Sequence, residues 1–363
     1  MAGDERHFCS KDVLLIATLV AMQCVTVGIN TLYKAATLQG MKYHVFMVYC
    51  YGVATFILLP APFFSYRSRM LPPVNFSILS KIILLGIIGF VAMTMGLSGI
   101  NYSSPTLASA ISNLLPAFTF ILAVIFRMET LSFSKNSTRA KILGTIVSIT
   151  GAFVGTLYKG PQLIWSLPPL HSHSRSVSIG SSQDDWVLGG LLLSAENILL
   201  TYFYILQTQI LKEYPAKLTV VFFYDLVVCI LSAITGCFTE PDSSAWKIKP
   251  DITLVTILCA GVFGSCLNNS IHSWALHLKG PLFVAMFKPL SIAIAVVMGI
   301  IFLGDNLYLG SVVGATVISI GFYMVMWGKA REDTMIDEVI ILDSSLTTRL
   351  PLLLYKDEDM ASR

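Results

Sequence analysis

Charged and amide side chains interrupt several otherwise apolar stretches of this sequence, and these groups could do chemistry. Glu196, Asp225 and Lys288 are charged residues that lie well inside such stretches. A charge in an apolar medium costs a few kcal/mol or more, so it usually faces a water-filled cavity or a partner. One interpretation is that Lys288 binds a solute carboxylate while Glu196 or Asp225 takes a proton or an amine. The alternative is that Asp225 and Lys288, at equal depth, form an ion pair that only joins helices.

Amides and prolines in the same stretches provide secondary candidates. Asn113, Asn268 and Asn269 each offer donors and acceptors to a polar solute, although interhelical hydrogen bonding is the alternative role. Pro116 and Pro289 each remove a backbone hydrogen bond from a predicted helix. Such a helix break exposes carbonyl groups or acts as a hinge in carriers, and a plain packing kink is the other interpretation.

Motifs for energy-consuming or hydrolytic chemistry are missing from the sequence. It contains no GxxxxGK[ST] phosphate loop, no GxSxG and no HExxH. This disfavours an ATP-driven pump and a membrane hydrolase, and no cofactor is expected. His171 and His173 lie in a Ser/Pro-rich segment, where two ligands on a flexible chain make a poor metal site, so no metal is expected either.

The composition indicates the kind of element that must position these groups. Of the 363 residues, 55% are hydrophobic and only 12% are charged, about half the charged share of a soluble domain. The net charge of +3 and the lack of a basic patch with aromatic residues argue against a nucleic-acid partner. A membrane-spanning helix needs about 20 mostly apolar residues. Ten windows qualify: 12–32, 44–64, 79–99, 105–126, 140–158, 186–210, 218–238, 252–273, 281–303 and 307–327.

The loops predict how the chain is divided and oriented. Residues 1–11 form a cytoplasmic N-terminus, 159–185 a flexible extracytoplasmic linker, and 328–363 a cytoplasmic tail that is largely disordered. The helices fall into two sets of five, 12–158 and 186–327. Fourteen Lys and Arg residues lie in the loops of one face and six in those of the other, which places the first face, with both termini, in the cytoplasm.

A weak internal repeat underlies the two sets. Gly144 and Gly314, like Gly151 and Gly321, are 170 residues apart. Because each unit has five helices, the second copy starts on the opposite face, and the two copies are inverted. Inverted repeats are typical of alternating-access carriers, which bind the solute near the midplane between the halves. The stretches GAFVG (151–155) and GSVVG (310–314) favour close helix packing.

Several stretches resemble the plant walls-are-thin-related, or nodulin-like (UMAMIT), family in the EamA branch of the drug/metabolite transporter superfamily. They include DWVLGGLLLSAENILL (185–200), LKEYPAKLTVVFFYDL (211–226), GFYMVMWGKA (321–330) and the long run from 264 to 315. NLLPAF (113–118) and FKPLS (287–291) fit the family pattern. The resemblance implies an all-α membrane protein with ten transmembrane helices in two EamA repeats. It also implies facilitated or proton-linked movement of amino acids, with auxin for some members.

The sequence therefore predicts a non-enzymatic carrier for small organic solutes, most simply amino acids or related organic acids. Its partners are the solute, membrane lipid and, for proton-linked transport, protons; a homo-oligomer stays open. The plasma membrane is the default location, with the vacuole or another endomembrane as the alternative. A receptor or scaffold without transport is the main rival, and it gives no reason for inverted repeats with charges at the midplane.

Overall fold

The computed structural model describes residues 2–67, 75–102, 108, 111–128, 136–158, 161–164, 183–243, 245–248, 250–298 and 307–349. Helices account for nearly all of these residues. Each of the ten apolar windows coincides with helical residues, although the windows 105–126 and 281–303 are described only in part. The described part of the chain is thus almost entirely helical, as the composition predicts.

The first half of the chain contributes six described helices. They are α1 (Ala2–Leu38), α2 (Tyr43–Leu58), α3 (Pro60–Arg67), α4 (Phe76–Tyr102), α5 (Leu115–Ile125) and α6 (Asn136–Leu157). The turn between α1 and α2 contains Gly40, whose φ of 94° is in the left-handed region that favours glycine.

The second half contains a helix that changes its winding and one that is interrupted. Its elements are α7 (Gln183–Glu213), α8 (Lys217–Thr239), α9 (Ile252–Cys259), a π-helical segment (Ala260–Leu267), α10 (Asn268–Lys279), α11 (Pro281–Ala285), α12 (Phe287–Met298) and α13 (Leu309–Arg349). The segments from Ile252 to Lys279 are continuous, whereas a turn at Met286 separates α11 from α12.

Seven helices in the described part of the chain are long and apolar enough to cross a membrane. They are Val13–Tyr33, Tyr43–Phe64, Phe76–Ile100, Val187–Glu213, Lys217–Thr239, Ile252–Lys279 and Val312–Glu332. Two shorter apolar helices, Leu115–Ile125 and Pro281–Ser291, accompany them. These lengths and compositions make the chain a multi-pass membrane protein.

Two predicted segments differ from expectation. The tail predicted to be largely disordered continues α13 as a helix to Arg349, because Gly328 is followed by no Gly or Pro until Pro351. The remainder of the tail, 350–363, lies outside the described residues.

Within the predicted flexible linker, strand β1 (Gln162–Ile164) pairs antiparallel with β2 (Leu307–Tyr308) ahead of α13. Most of that linker, including His171 and His173, also lies outside the described residues.

Helices from the two halves pack directly against each other. Helix α4 contacts α7 and α8, α2 contacts α8 and the π-helical segment, and α6 contacts α13. The largest apolar cluster draws on both halves and includes Leu85, Tyr51, Val220, Tyr224 and Phe287. Apolar packing thus joins the two halves of the chain.

Glycines allow α6 and α13 to approach each other closely. A Cβ on Gly144 would lie 2.7 Å from the carbonyl oxygen of Gly321, and one on Gly314 would lie 2.9 Å from that of Gly151. Since Gly144 meets Gly321 while Gly155 meets Gly314, the two helices run antiparallel. The packing role predicted for the glycines of GAFVG is confirmed, and for GSVVG it is confirmed at Gly314.

Candidate functional site

Asp225 lies in the middle of α8 and is completely buried, with 0% of its surface exposed. Its Oδ1 accepts a hydrogen bond from the Asn269 side chain at 3.0 Å, and its Oδ2 has no partner among the described residues. The neighbouring residue Tyr224 packs against Tyr51 in the largest apolar cluster, with ring centroids 6.3 Å apart. The Asn269 amide is thus the hydrogen-bond partner of this buried carboxyl group in the described residues.

The predicted ion pair between Asp225 and Lys288 is wrong. Both side chains are described, and no ion pair within 4.0 Å joins them. Lys288 is exposed, whereas Asp225 is buried. Equal depth in two helices does not bring two side chains together, because the helices can present them in different directions.

Lys288 is the second residue of α12 and follows the turn at Met286 directly. Its ammonium makes no hydrogen bond or ion pair with the described residues, and it lies within electrostatic range of Glu196 and His272. A lysine exposed to lipid at this position would cost several kcal/mol. Lys288 is therefore expected to face water and not lipid.

Glu196, in α7, is partly exposed and accepts no hydrogen bond from the described part of the chain. Its carboxyl group lies over Gly96 of α4, where a Cβ would come within 2.5 Å of Cδ. Glu196 and Lys288 thus carry opposite charges within electrostatic range of each other, on two helices of the second half. This arrangement suits a solute that carries both an amine and a carboxylate.

The other polar candidates are also placed beside irregular backbone. Asn113 is 2% exposed and lies in the turn Asn113–Leu114, with its Nδ2 buried and without a partner among the described residues. Asn268 follows the π-helical segment, and its Oδ1 is likewise buried without a described partner. Asn269, the next residue, binds Asp225, so the interhelical hydrogen-bond role holds for it.

Both prolines lie next to helix breaks, although not in mid-helix as expected. Pro116 is in the first turn of α5, after the turn at Asn113 and Leu114. Pro289 is the third residue of α12, after the turn at Met286. A proline cannot donate the backbone hydrogen bond that would continue the preceding helix, so the break falls just ahead of it.

Two features escaped the sequence reasoning. The π-helical segment Ala260–Leu267 shifts the register of the residues that follow it, and such segments are frequent at functional sites. His272 lies beyond this segment, near Lys288, and its Nε2 is buried without a partner in the described residues. The signal for His272 was available, because it is an ionisable residue inside the apolar window 252–273.

Known proteins are similar in sequence to this chain over most of its length. The model of the EamA-like transporter family matches residues 14–157. WAT1-related protein At3g28050 of Arabidopsis thaliana is 60% identical over 334 residues, which is 92% of this chain and 90% of that protein. WAT1-related protein At5g40240 of the same plant is 50% identical over 343 residues, or 92% of each chain.

A solved crystal structure shares the fold at low sequence identity. It superposes with a TM-score of 0.62 at 12% identity and covers 87% of this chain and 98% of its own. At that identity the likeness concerns the fold alone.

The membrane-spanning helices and the family match define a multi-pass membrane solute transporter rather than an enzyme. More narrowly, the chain belongs to the WAT1-related, nodulin-like family of EamA-type proteins. The family resemblance read from the sequence is therefore confirmed.

Proposed function

We propose that this protein carries amino acids or related small organic acids by alternating access, driven by the solute gradient or linked to protons. The observation that carries the proposal is the pair of opposite charges at Glu196 and Lys288. Neither side chain has a hydrogen-bond partner in the described residues, and each lies within electrostatic range of the other. A zwitterionic solute would satisfy both charges at once, with its ammonium at Glu196 and its carboxylate at Lys288.

Broken helices support the same site. The turns ahead of Pro116 and Pro289 interrupt one apolar helix in each half of the chain. Interrupted helices in corresponding positions of two halves are the best pointer to a transporter's binding site, because they free backbone groups near the midplane. Asn113 lies at the first break and Lys288 at the second. Asn113, Asn268, Asn269 and Asp225 belong to the polar surroundings of this proposed site.

The architecture that accompanies this function is a pair of inverted five-helix repeats, 12–158 and 186–327, with ten transmembrane helices. Two glycine contacts support this arrangement. Gly144 contacts Gly321, and their counterparts in the other half, 170 residues away, are Gly314 and Gly151, which also contact each other. A two-fold axis between the halves would generate such a duplicated contact. We place the carrier in the plasma membrane, with both termini in the cytoplasm.

Purified protein in liposomes tests the proposal. The labelled proteinogenic amino acids and indole acetic acid are screened for uptake down their gradients, without ATP. Lys288→Met should reduce uptake at least ~10-fold, because a charge-assisted hydrogen bond to the solute is lost. Lys212→Met, at the exposed end of α7, is the matched control and should leave uptake unchanged.

Two results would overturn the proposal. Strict dependence of uptake on ATP would exclude a gradient-driven or proton-linked carrier. Folded protein that moves none of these solutes would favour the rival class, a membrane receptor or scaffold without transport.

A further inference from the structure

Gly96 provides the space in which the Glu196 carboxyl group lies. A Cβ built on Gly96 would be 2.5 Å from Cδ and 2.6 Å from each carboxyl oxygen of Glu196. All three distances are shorter than any real Cβ contact, so the carboxyl group occupies the volume that a side chain at position 96 would need. No other residue type leaves that volume free.

Other glycines of α4 receive apolar or aromatic groups instead. A Cβ on Gly86 would meet Val227, one on Gly89 would meet the Tyr224 ring and hydroxyl, and one on Gly99 would meet Leu193, at 2.5, 2.9 and 2.7 Å respectively. These contacts let α4 pack tightly against α7 and α8. Gly96 differs from them because the atoms it accommodates are the ionisable end of a flexible side chain.

The Glu196 carboxyl group lies against the backbone of α4 at Gly96. In the described part of the chain no donor binds it, while Tyr43 and Lys288 lie within electrostatic range. A carboxylate whose lone pairs are not already taken is able to bind a ligand cation.

We propose that Gly96 is a positioning residue: its missing side chain fixes where the Glu196 carboxylate meets the ammonium group of the solute. The inference rests on the proposed carrier function and deepens it. A methyl group at position 96 would push the carboxylate out of its place. The cost in folding would be small, because the displaced atoms are the free end of a long side chain.

The first experiment needs no solute. Glu196 in detergent-solubilised protein is labelled with the apolar carbodiimide DCCD, and the modification is quantified by mass spectrometry. Gly96→Ala should change the labelling rate at Glu196 several-fold, since the carboxyl group must move away from α4. Gly99→Ala, which adds its methyl group beside Leu193, should leave that rate as it is. Equal Glu196 labelling in the native protein and in Gly96→Ala would overturn the positioning role.

The second experiment measures recognition. With a labelled mixture of the proteinogenic amino acids in liposomes, Gly96→Ala should raise the half-saturating concentration ~10-fold or more, at native folded yield. Combining it with Glu196→Asp, which shortens the side chain by one methylene, should recover most of the affinity. Gly99→Ala should lower folded yield without changing half-saturation. A double variant no better than Gly96→Ala alone would contradict size complementation between the two positions.

The two experiments distinguish a failure of the proposed carrier function from a failure of the positioning role of Gly96. If Gly96→Ala alters labelling but the native protein carries no amino acid, the proposed function fails while the position of the carboxylate stands. If the native protein carries amino acids and Gly96→Ala behaves like it in both assays, only the inference about Gly96 fails.

Discussion

Asp225 depends on one amide for its hydrogen bonding within the described residues. Asn269 supplies the donor at 3.0 Å, and the remaining carboxyl oxygen has no partner there. Removing one member of a buried polar pair costs about 1–3 kcal/mol, whereas replacing both by apolar groups of similar shape is nearly neutral. The energetic coupling of Asp225 is therefore expected with Asn269 and not with Lys288.

A double-mutant cycle tests this pairing. Asn269→Leu should lower the free energy of unfolding by about 1–3 kcal/mol, because Asp225 stays buried without its donor. Adding Asp225→Leu should restore most of that loss. Thermal unfolding in detergent measures both variants, and the pair Lys288→Met with Asp225→Leu serves as the comparison. Strictly additive losses for Asn269 and Asp225 would rule out the coupling.

At the scale of the elements, the crossing of α6 and α13 has no room for a side chain at Gly144, Gly151, Gly314 or Gly321. A Cβ on Gly321 would contact the backbone nitrogen of Ser148 and lie 2.6 Å from the carbonyl oxygen of Gly144. Because both neighbours are backbone atoms, the helices themselves would have to separate. Gly28 in α1 is the opposite case, with nothing within 4 Å of its Cβ position.

Gly321→Ala should therefore destabilise the protein by about 1–3 kcal/mol, as overpacked cores do. Gly28→Ala should be neutral or stabilise it by about 0.5–1 kcal/mol, because alanine is the better helix former. Folded yield by gel filtration and the unfolding temperature report both effects. Equal stability of the two variants would show that the close approach of α6 and α13 does not hold these helices together.

One end of the same crossing contains a buried ion pair. Lys141 of α6 is 1% exposed, and its Nζ lies 2.8 Å from Oε2 of Glu332 on α13. The pair formed by Lys81 and Glu213 is shorter, at 2.6 Å, yet both of its side chains are well exposed. Burial and not distance decides what such pairs contribute.

Glu332→Ala should cost about 3 kcal/mol, because it withdraws a carboxylate from a lysine that is out of reach of water. Glu213→Ala removes an exposed partner and should cost less than about 1 kcal/mol. Unfolding temperatures at low and high salt separate the two, since salt screens only the exposed pair strongly. The reverse order of stabilities would refute this assignment.

At the scale of the whole molecule, loop charge decides how the chain is inserted. The glycosylation sequons at Asn75 and Asn136 begin at the N-terminal ends of α4 and α6, on the face that the charge distribution predicts to be cytoplasmic, so both should stay unmodified. Ser174→Asn creates a sequon in the predicted extracytoplasmic linker and should be glycosylated in a eukaryotic host. Mass shifts after glycosidase treatment show whether each of the three positions carries a glycan. A glycan on Asn75 or Asn136 would show that the predicted orientation is wrong.

The sequence alone predicted the helical class, the membrane setting and the family. These properties depend on summed quantities, such as apolar length and motif content, that tertiary contacts do not alter. It also predicted the close packing at Gly151, Gly155 and Gly314, because glycines at a four-residue spacing leave one helix face without side chains. The helical tail to Arg349 could have been inferred from the lack of helix breakers after Gly328.

Only the tertiary structure decided which polar groups meet. The depth of a side chain along a helix can be estimated from its residue number. The direction in which it points around the helix axis depends on how each helix packs against its neighbours. That is why Asp225 meets Asn269, just beyond the π-helical segment, while Lys288 forms no ion pair with Asp225 and lies within electrostatic range of Glu196 and His272. The place of Gly96 under Glu196 is of the same kind, because residues 100 positions apart become neighbours only where α4 and α7 are in contact.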